Sequence, residues 1–154
     1  MLGILSNSQI NGILENNING RIGFTDGKIV HIVPITYLYD GIYIIAHSKD
    51  GLKIKIMRQH PNVCFQVDEI LDQTNWKSVL AWGNYEELIE PRERHYALDR
   101  LIRLVNNLKM SETAFITHVG SNEGHLVNPE EIKTIVFRIK IENKTGRFEE
   151  NICS

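Results

Sequence analysis

The chain has little cysteine. Cys64 and Cys153 are the only two in 154 residues, and they form no Cys-x-x-Cys pair. That excludes a disulfide framework and a thiolate zinc site, and a domain of this length buries enough surface to need neither. Cys64 lies in the apolar run Val63-Cys64-Phe65 and reads as a reduced, buried small hydrophobe. No stretch approaches the roughly 18 apolar residues of a membrane span. Met1 to Ser6 lacks the basic and apolar regions of a signal peptide. The expectation is a cytoplasmic protein with no membrane partner. Neither sign of charge dominates: 17 Lys and Arg face 19 Asp and Glu, a net charge of -2, so there is no basic footprint for nucleic acid. His118 and His125 are not in a metal-ligand pattern, and no His-Glu-x-x-His occurs. No metal site is expected. No triad or paired carboxylates stand out, so no catalytic side chain is assigned, and Glu86-Glu87 reads as a strand-end surface feature. Without repeats, low-complexity tracts or linkers, residues 1–154 read as one domain.

The chain is rich in short strand signals. A brief helix opens it over Ser8 to Asn16, with Ile10, Ile13 and Leu14 on one face. Strands are expected over Arg21–Thr25, Lys28–Tyr39, Ile42–His47, Asn62–Val67, Ser78–Leu88 and Lys133–Glu142. Asp26-Gly27 and Asp40-Gly41 are expected as two-residue hairpin turns. Pro91 to Lys109 is a helix, with Pro91 at its first position and Leu98, Leu101, Ile102, Val105 and Leu108 on one face. Leu52 to Ile56 alternates with period two, which favours strand. Strands joined mostly by tight turns predict an antiparallel sheet or barrel. The second strand is apolar on both faces: Val30, Ile32, Pro34 and Leu38 on one, Ile29, Val33, Ile35 and Tyr37 on the other. A small barrel fills its interior with one face, and the other needs a cover, which points to a homodimer.

Three places carry chemistry. Pro34 lies inside a strand and has no N–H for a ladder, so it marks an edge or bulge where neighbouring backbone groups face something else. His47-Ser48-Lys49-Asp50-Gly51-Leu52-Lys53 follows a strand and offers a hydroxyl, an imidazole and ammonium groups. It reads either as a solvated polar turn or, if Gly51 opens a helix, as an anion cradle. Asn75-Trp76-Lys77-Ser78-Val79 leads towards Trp82-Gly83. These two tryptophans offer either a stacking surface for a planar ring or core and interface anchors.

In order and spacing these pieces resemble the FMN-binding split barrels of the pyridoxamine 5'-phosphate oxidase-like superfamily. The matching string runs from Gly20-Arg21-Ile22-Gly23 through Val33-Pro34-Ile35-Thr36-Tyr37 and Tyr39-Asp40-Gly41 to His47-Ser48 with Gly51-Leu52-Lys53. It continues through Asn62 to Asp68, Trp76-Lys77-Ser78-Val79 and Trp82-Gly83, covering the first 90 or so residues well and the rest loosely. The branch it resembles is the nitroimidazole-resistance-like one, whose usual tail is similar to Lys144 to Glu149.

The resemblance implies a mainly β fold with flanking helices, a six-stranded antiparallel split barrel, and a helix at Leu52 to Ile56. It implies a homodimer with one FMN at each end of the interface. Main-chain groups of Val33, Pro34, Ile35 and Thr36 would meet the flavin ring edge, and Arg21 belongs to the same cofactor set. Ser48, Lys53 and His47 would hold the phosphate, while Trp76 and Ser78 would come from the partner subunit. The oxidases proper carry an arginine-lysine pair directly after the serine. Lys49 and Asp50 stand there instead, which argues against oxidation of pyridoxamine phosphate. The implied function is FMN-dependent oxidation or reduction of a small-molecule substrate, such as nitro reduction. The alternatives are a flavin store without turnover, or a haem- or deazaflavin-binding relative on the same fold.

Overall fold

A computed structural model of the protein describes residues 1–107 and 134–151. His118, His125, Cys153, Lys133 and the expected helix end at Leu108-Lys109 lie outside them. The described elements run β1 (Leu2–Ile4), α1 (Asn7–Asn16), β2 (Asn19–Thr25), β3 (Val30–Tyr39), β4 (Tyr43–Lys49), α2 (Leu52–Gln59), β5 (Asn62–Asp72), β6 (Asn75–Glu87), α3 (Pro91–Asn107) and β7 (Thr134–Glu149). The strands are antiparallel in the order β1-β7-β4-β3-β2-β5-β6, and β6 returns to β7, so β2 to β7 close a six-stranded ring. β1 is an addition to β7, pairing Leu2 with Glu149.

Alternation of side chains puts one face of each strand inside. Ile22, Phe24, Ile35, Tyr37, Ile44, Ala46, Phe65, Val79 and Phe137 fill the barrel together with Ile10, Ile13 and Leu14 of α1 and Ile54, Ile56 and Met57 of α2. Outside the ring, α3 lays Ala97 and Leu101 over Ile45, Val136 and Leu88. The Ser6 side chain accepts from the Gln9 N–H and the Gln9 side chain accepts from the Ser6 N–H, a capping box that starts α1.

Leu52 to Gln59 is helical although its apolar pattern alternates. Burial of Ile54, Ile56 and Met57 into the barrel end outweighs the local period. Both Asp-Gly turns sit one residue later than expected. The strand register continues to Asp26 and Ile29, and to Asp40 and Tyr43, through the Asp26 N–H to the Ile29 carbonyl and the Asp40 N–H to the Tyr43 carbonyl. The central residues are therefore Gly27-Lys28 and Gly41-Ile42, with φ of 94° and 98° at the glycines. Glycine at the first central position supplies the positive φ that such hairpins need. Each aspartate precedes its loop, and its carboxylate accepts from two amides across it. β5 and β7 run past their expected ends, to Asp72 and Glu149, because β6 pairs with both along nearly its whole length.

Candidate functional site

The ring is closed in topology but parted along one seam. β3 pairs with β2 from Val30 to Thr36, and with β4 only from Tyr37 to Tyr39. β4 continues through His47, Ser48 and Lys49, paired on its other side with β7. The first half of β3 and the last part of β4 thus diverge, each with an edge that meets no strand among the described residues.

The backbone direction along that edge follows from two hydrogen bonds. The Tyr37 N–H donates to the Ile18 carbonyl on the β2 side, and the Asp40 N–H donates to the Tyr43 carbonyl on the β4 side. Backbone groups alternate along a strand. Those of Val33 and Ile35 therefore point to β2, and those of Ile32, Pro34 and Thr36 point into the seam. Pro34 stands where an N–H would have had no strand to meet, which is the edge position its chemistry requires. The sequence singled out Val33 to Thr36 as one group; only the even-numbered residues offer backbone groups to the seam.

The far side of the seam is the turn from β4 into α2. Ser48 shares its strand face with Ile44 and Ala46, and it is half-buried; its hydroxyl donates to the Lys49 carbonyl at 3.1 Å. His47 shares the other face of β4 with Ile45, the face α3 covers, so the two residues are not brought together. Only Asp50 and Gly51 separate β4 from α2, and among the described residues no side chain caps the helix N-terminus. Lys53 sits in that first turn. It is half-buried and has no hydrogen-bond or ion-pair partner among the described residues, and burial lowers its ammonium pKa. A desolvated ammonium without a counter-charge, beside open amides, favours an anion. Asp50 does not spoil this, because its carboxylate lies 3.7 Å from Arg58.

Arg21, Ser78 and Trp76 lie elsewhere, on the outer face of β2 and β6. Gln66 links the first two: Arg21 Nη1 donates to its Oε1 at 3.3 Å, and its Nε2 donates to Ser78 Oγ at 3.2 Å and to Asp68 at 2.8 Å. Arg21 also pairs with Asp68 at 3.6 Å. Gln66 and Asp68 were not singled out in the sequence, although their period-two spacing with Cys64 marks one face. The Trp76 indole donates to Glu149 at 3.0 Å. Within one chain β2 and β5 separate β6 from the β3 side of the seam, and β7 separates it from the β4 side. Cys64 is not in the core. It is half-buried on the outer face, in the cross-strand row Ile32–Gly23–Cys64–Trp82. Glu86 and Glu87 are more than a surface feature, since each holds an arginine, Arg138 at 2.8 Å and Arg58 at 2.6 Å. Among the described residues no three His, Cys, Asp or Glu side chains gather as metal ligands, and no helix is long and apolar enough to cross a membrane.

A closed antiparallel barrel of six strands, parted beside a short helix, defines the class of fold. A family model for pyridoxamine 5'-phosphate oxidase matches residues 6–148, and the chain belongs to that family. An uncharacterized protein of Rhizobium meliloti (strain 1021) is 31% identical over 93 residues, 60% of this chain and 62% of that protein. Among solved structures, an FAD-binding protein from Mesorhizobium loti superposes with a TM-score of 0.76 at 27% identity, covering 97% of this chain and 99% of that one. A candidate 5-nitroimidazole antibiotic resistance protein from Bacteroides thetaiotaomicron superposes with a TM-score of 0.70 at 18% identity, over 96% of this chain and 87% of that one; at that identity the likeness concerns the fold.

Proposed function

We propose that the chain binds FMN in the seam between β3 and β4, as a cytoplasmic homodimer, and serves as an FMN-dependent oxidoreductase for a small electrophile such as a nitro compound. The observation that carries this reading is the open β3 edge at Pro34 and Thr36 facing a turn with a half-buried Lys53 that has no partner among the described residues. The seam suits a planar heterocycle that needs backbone donors and acceptors at its rim, and the turn suits a phosphate. Thr36 and Pro34 would orient the ring edge, and Ser48, Lys53 and the first amides of α2 would hold the phosphate. Bound flavin supplies the redox chemistry, which is why the reading assigns no catalytic side chain to the protein. Trp76, Ser78 and Arg21 fit this reading only across a dimer, where the outer face of one chain meets the seam of another.

Titration of purified protein with FMN, riboflavin and FAD, read by flavin fluorescence and absorption, tests the ligand. Unchanged flavin spectra would overturn the reading, and preference for FAD would move it to a dinucleotide, as the name of the Mesorhizobium loti structure suggests. Anaerobic mixing of the FMN-reduced protein with a nitroimidazole tests turnover. Reoxidation no faster than that of free reduced FMN would leave a flavin store.

A further inference from the structure

We propose that Arg58 is a positioning residue that keeps the phosphate turn open by holding Asp50 away from the start of α2. The inference rests on the phosphate reading of Ser48 and Lys53. Asp50 directly precedes Gly51, the N-cap of α2. An acidic side chain one residue before the N-cap is attracted to the helix N-terminus by the dipole and by its free amides. Such a carboxylate would occupy the groups a phosphate needs and repel the phosphate. In this protein the carboxylate is turned to a cation instead. Among the described residues no side chain caps α2, and Asp50 Oδ1 lies 3.7 Å from Arg58 Nη1.

The guanidinium is itself held from another element. Arg58 Nε donates to Glu87 Oε2 at 2.9 Å and Nη2 donates to Glu87 Oε1 at 2.6 Å. This fork-to-fork contact uses two nitrogens and fixes the plane of the third. Glu87, at the end of β6, thus aims Nη1 at Asp50. The arrangement restrains the carboxylate with a cation shared with Glu87, at a place where Lys53 has no counter-ion among the described residues. It accounts for how an acidic residue stands beside an anion turn.

The test compares the dissociation constants of FMN and riboflavin, which differ by the phosphate alone. Arg58→Gln should weaken FMN about three- to tenfold, the effect of one nearby uncompensated charge, and leave riboflavin unchanged. Adding Asp50→Ala to Arg58→Gln should restore FMN to within about twofold of the parent, since alanine neither caps nor repels. Arg58→Lys, which keeps the charge, should retain most of the preference for FMN, and Glu87→Gln, which removes the charged clamp on the guanidinium, should weaken FMN selectively and takes the place of Arg58→Gln if that variant does not fold. Equal weakening of both flavins by Arg58→Gln, or no recovery in the double variant, would overturn the proposal. Lys53→Ala separates the two levels. If it lowers FMN selectively while Arg58→Gln does not, only the role of Arg58 falls. If it too leaves the FMN-to-riboflavin ratio unchanged, the phosphate reading falls and takes this inference with it.

Discussion

Lys53 is placed at a cost to the fold. Its ammonium is partly desolvated and unpaired among the described residues, a condition that disfavours the charged form until an anion arrives. Lys53→Met should therefore stabilise the flavin-free protein by about 1 kcal/mol, a rise of roughly 2–4 °C in Tm at this chain length. The same change should weaken FMN at least about tenfold, through loss of a charge-assisted hydrogen bond. Calorimetry and flavin titration on one preparation check both halves. A variant less stable than the parent would make Lys53 a structural residue. Gly83 shows the opposite kind of constraint. It sits at the β6–β7 bulge, where a Cβ would lie 2.1 Å from the Lys140 carbonyl oxygen. The obstacle is backbone and cannot rotate away, so Gly83→Ala should cost about 2–3 kcal/mol, seen as a lower urea midpoint with an unchanged slope.

At the scale of elements, the turn led by Asp26 gives a pH signature. The carboxyl of Asp26 is held below its usual 3.8 chiefly by the Ile29 amide and next by the Lys28 amide. The folded state binds that proton more weakly than the unfolded chain does. Its contribution is therefore present in full above the unfolded value and is lost as pH falls through the folded one. Asp26→Asn keeps an acceptor oxygen but does not titrate. The acid limb of stability against pH should be flatter in that variant, measured by urea midpoints from about pH 2 to pH 6. Superimposable limbs would show that the turn carries no linkage. The two aspartate-led turns also show what the sequence disclosed and what it hid. Asp-Gly located both hairpins, but the rule that places Asp-Gly in the centre misplaced them by one residue, because here the aspartate acts through its side chain. The Ser6-Asn7-Ser8-Gln9 capping box was in plain view and passed unread. α2 was hidden for a physical reason: eight residues with alternating Leu, Ile and Lys carry a strand period, and only the barrel end that receives Ile54 and Met57 makes them a helix. The seam was half legible. Pro34 announced an edge, but which backbone groups face outward depends on the register with β2 and β4, which no local pattern contains.

For the whole molecule, the outer face of β3, β2, β5 and β6 is the largest open question of packing. Val30 is 73% exposed, Ile32 68% and Trp82 40%, and the latter two share one cross-strand row through Gly23 and Cys64. A groove of about 400 Å³ runs between Val30, Cys64 and Trp82. Contiguous exposed apolar surface of this kind marks an association face. In the proposed dimer it also brings Trp76 and Ser78 of one chain to the seam of the other; within a single chain β2 and β5 stand between them and the seam on one side and β7 on the other. Ile32→Lys puts a charge on that face, at its β3 end, without touching the core. It should convert the protein to a monomer by light scattering at micromolar concentration while leaving the circular dichroism of the barrel intact. FMN affinity should fall with the dimer, and in the parent protein it should decline on dilution through the dimer dissociation range, because half of the site would belong to the other chain. A dimeric Ile32→Lys would move the interface elsewhere. A monomer that binds FMN as tightly as the parent would confine the site to the residues of one seam, Pro34, Thr36, Ser48 and Lys53, and would leave Trp76 and Ser78 outside it.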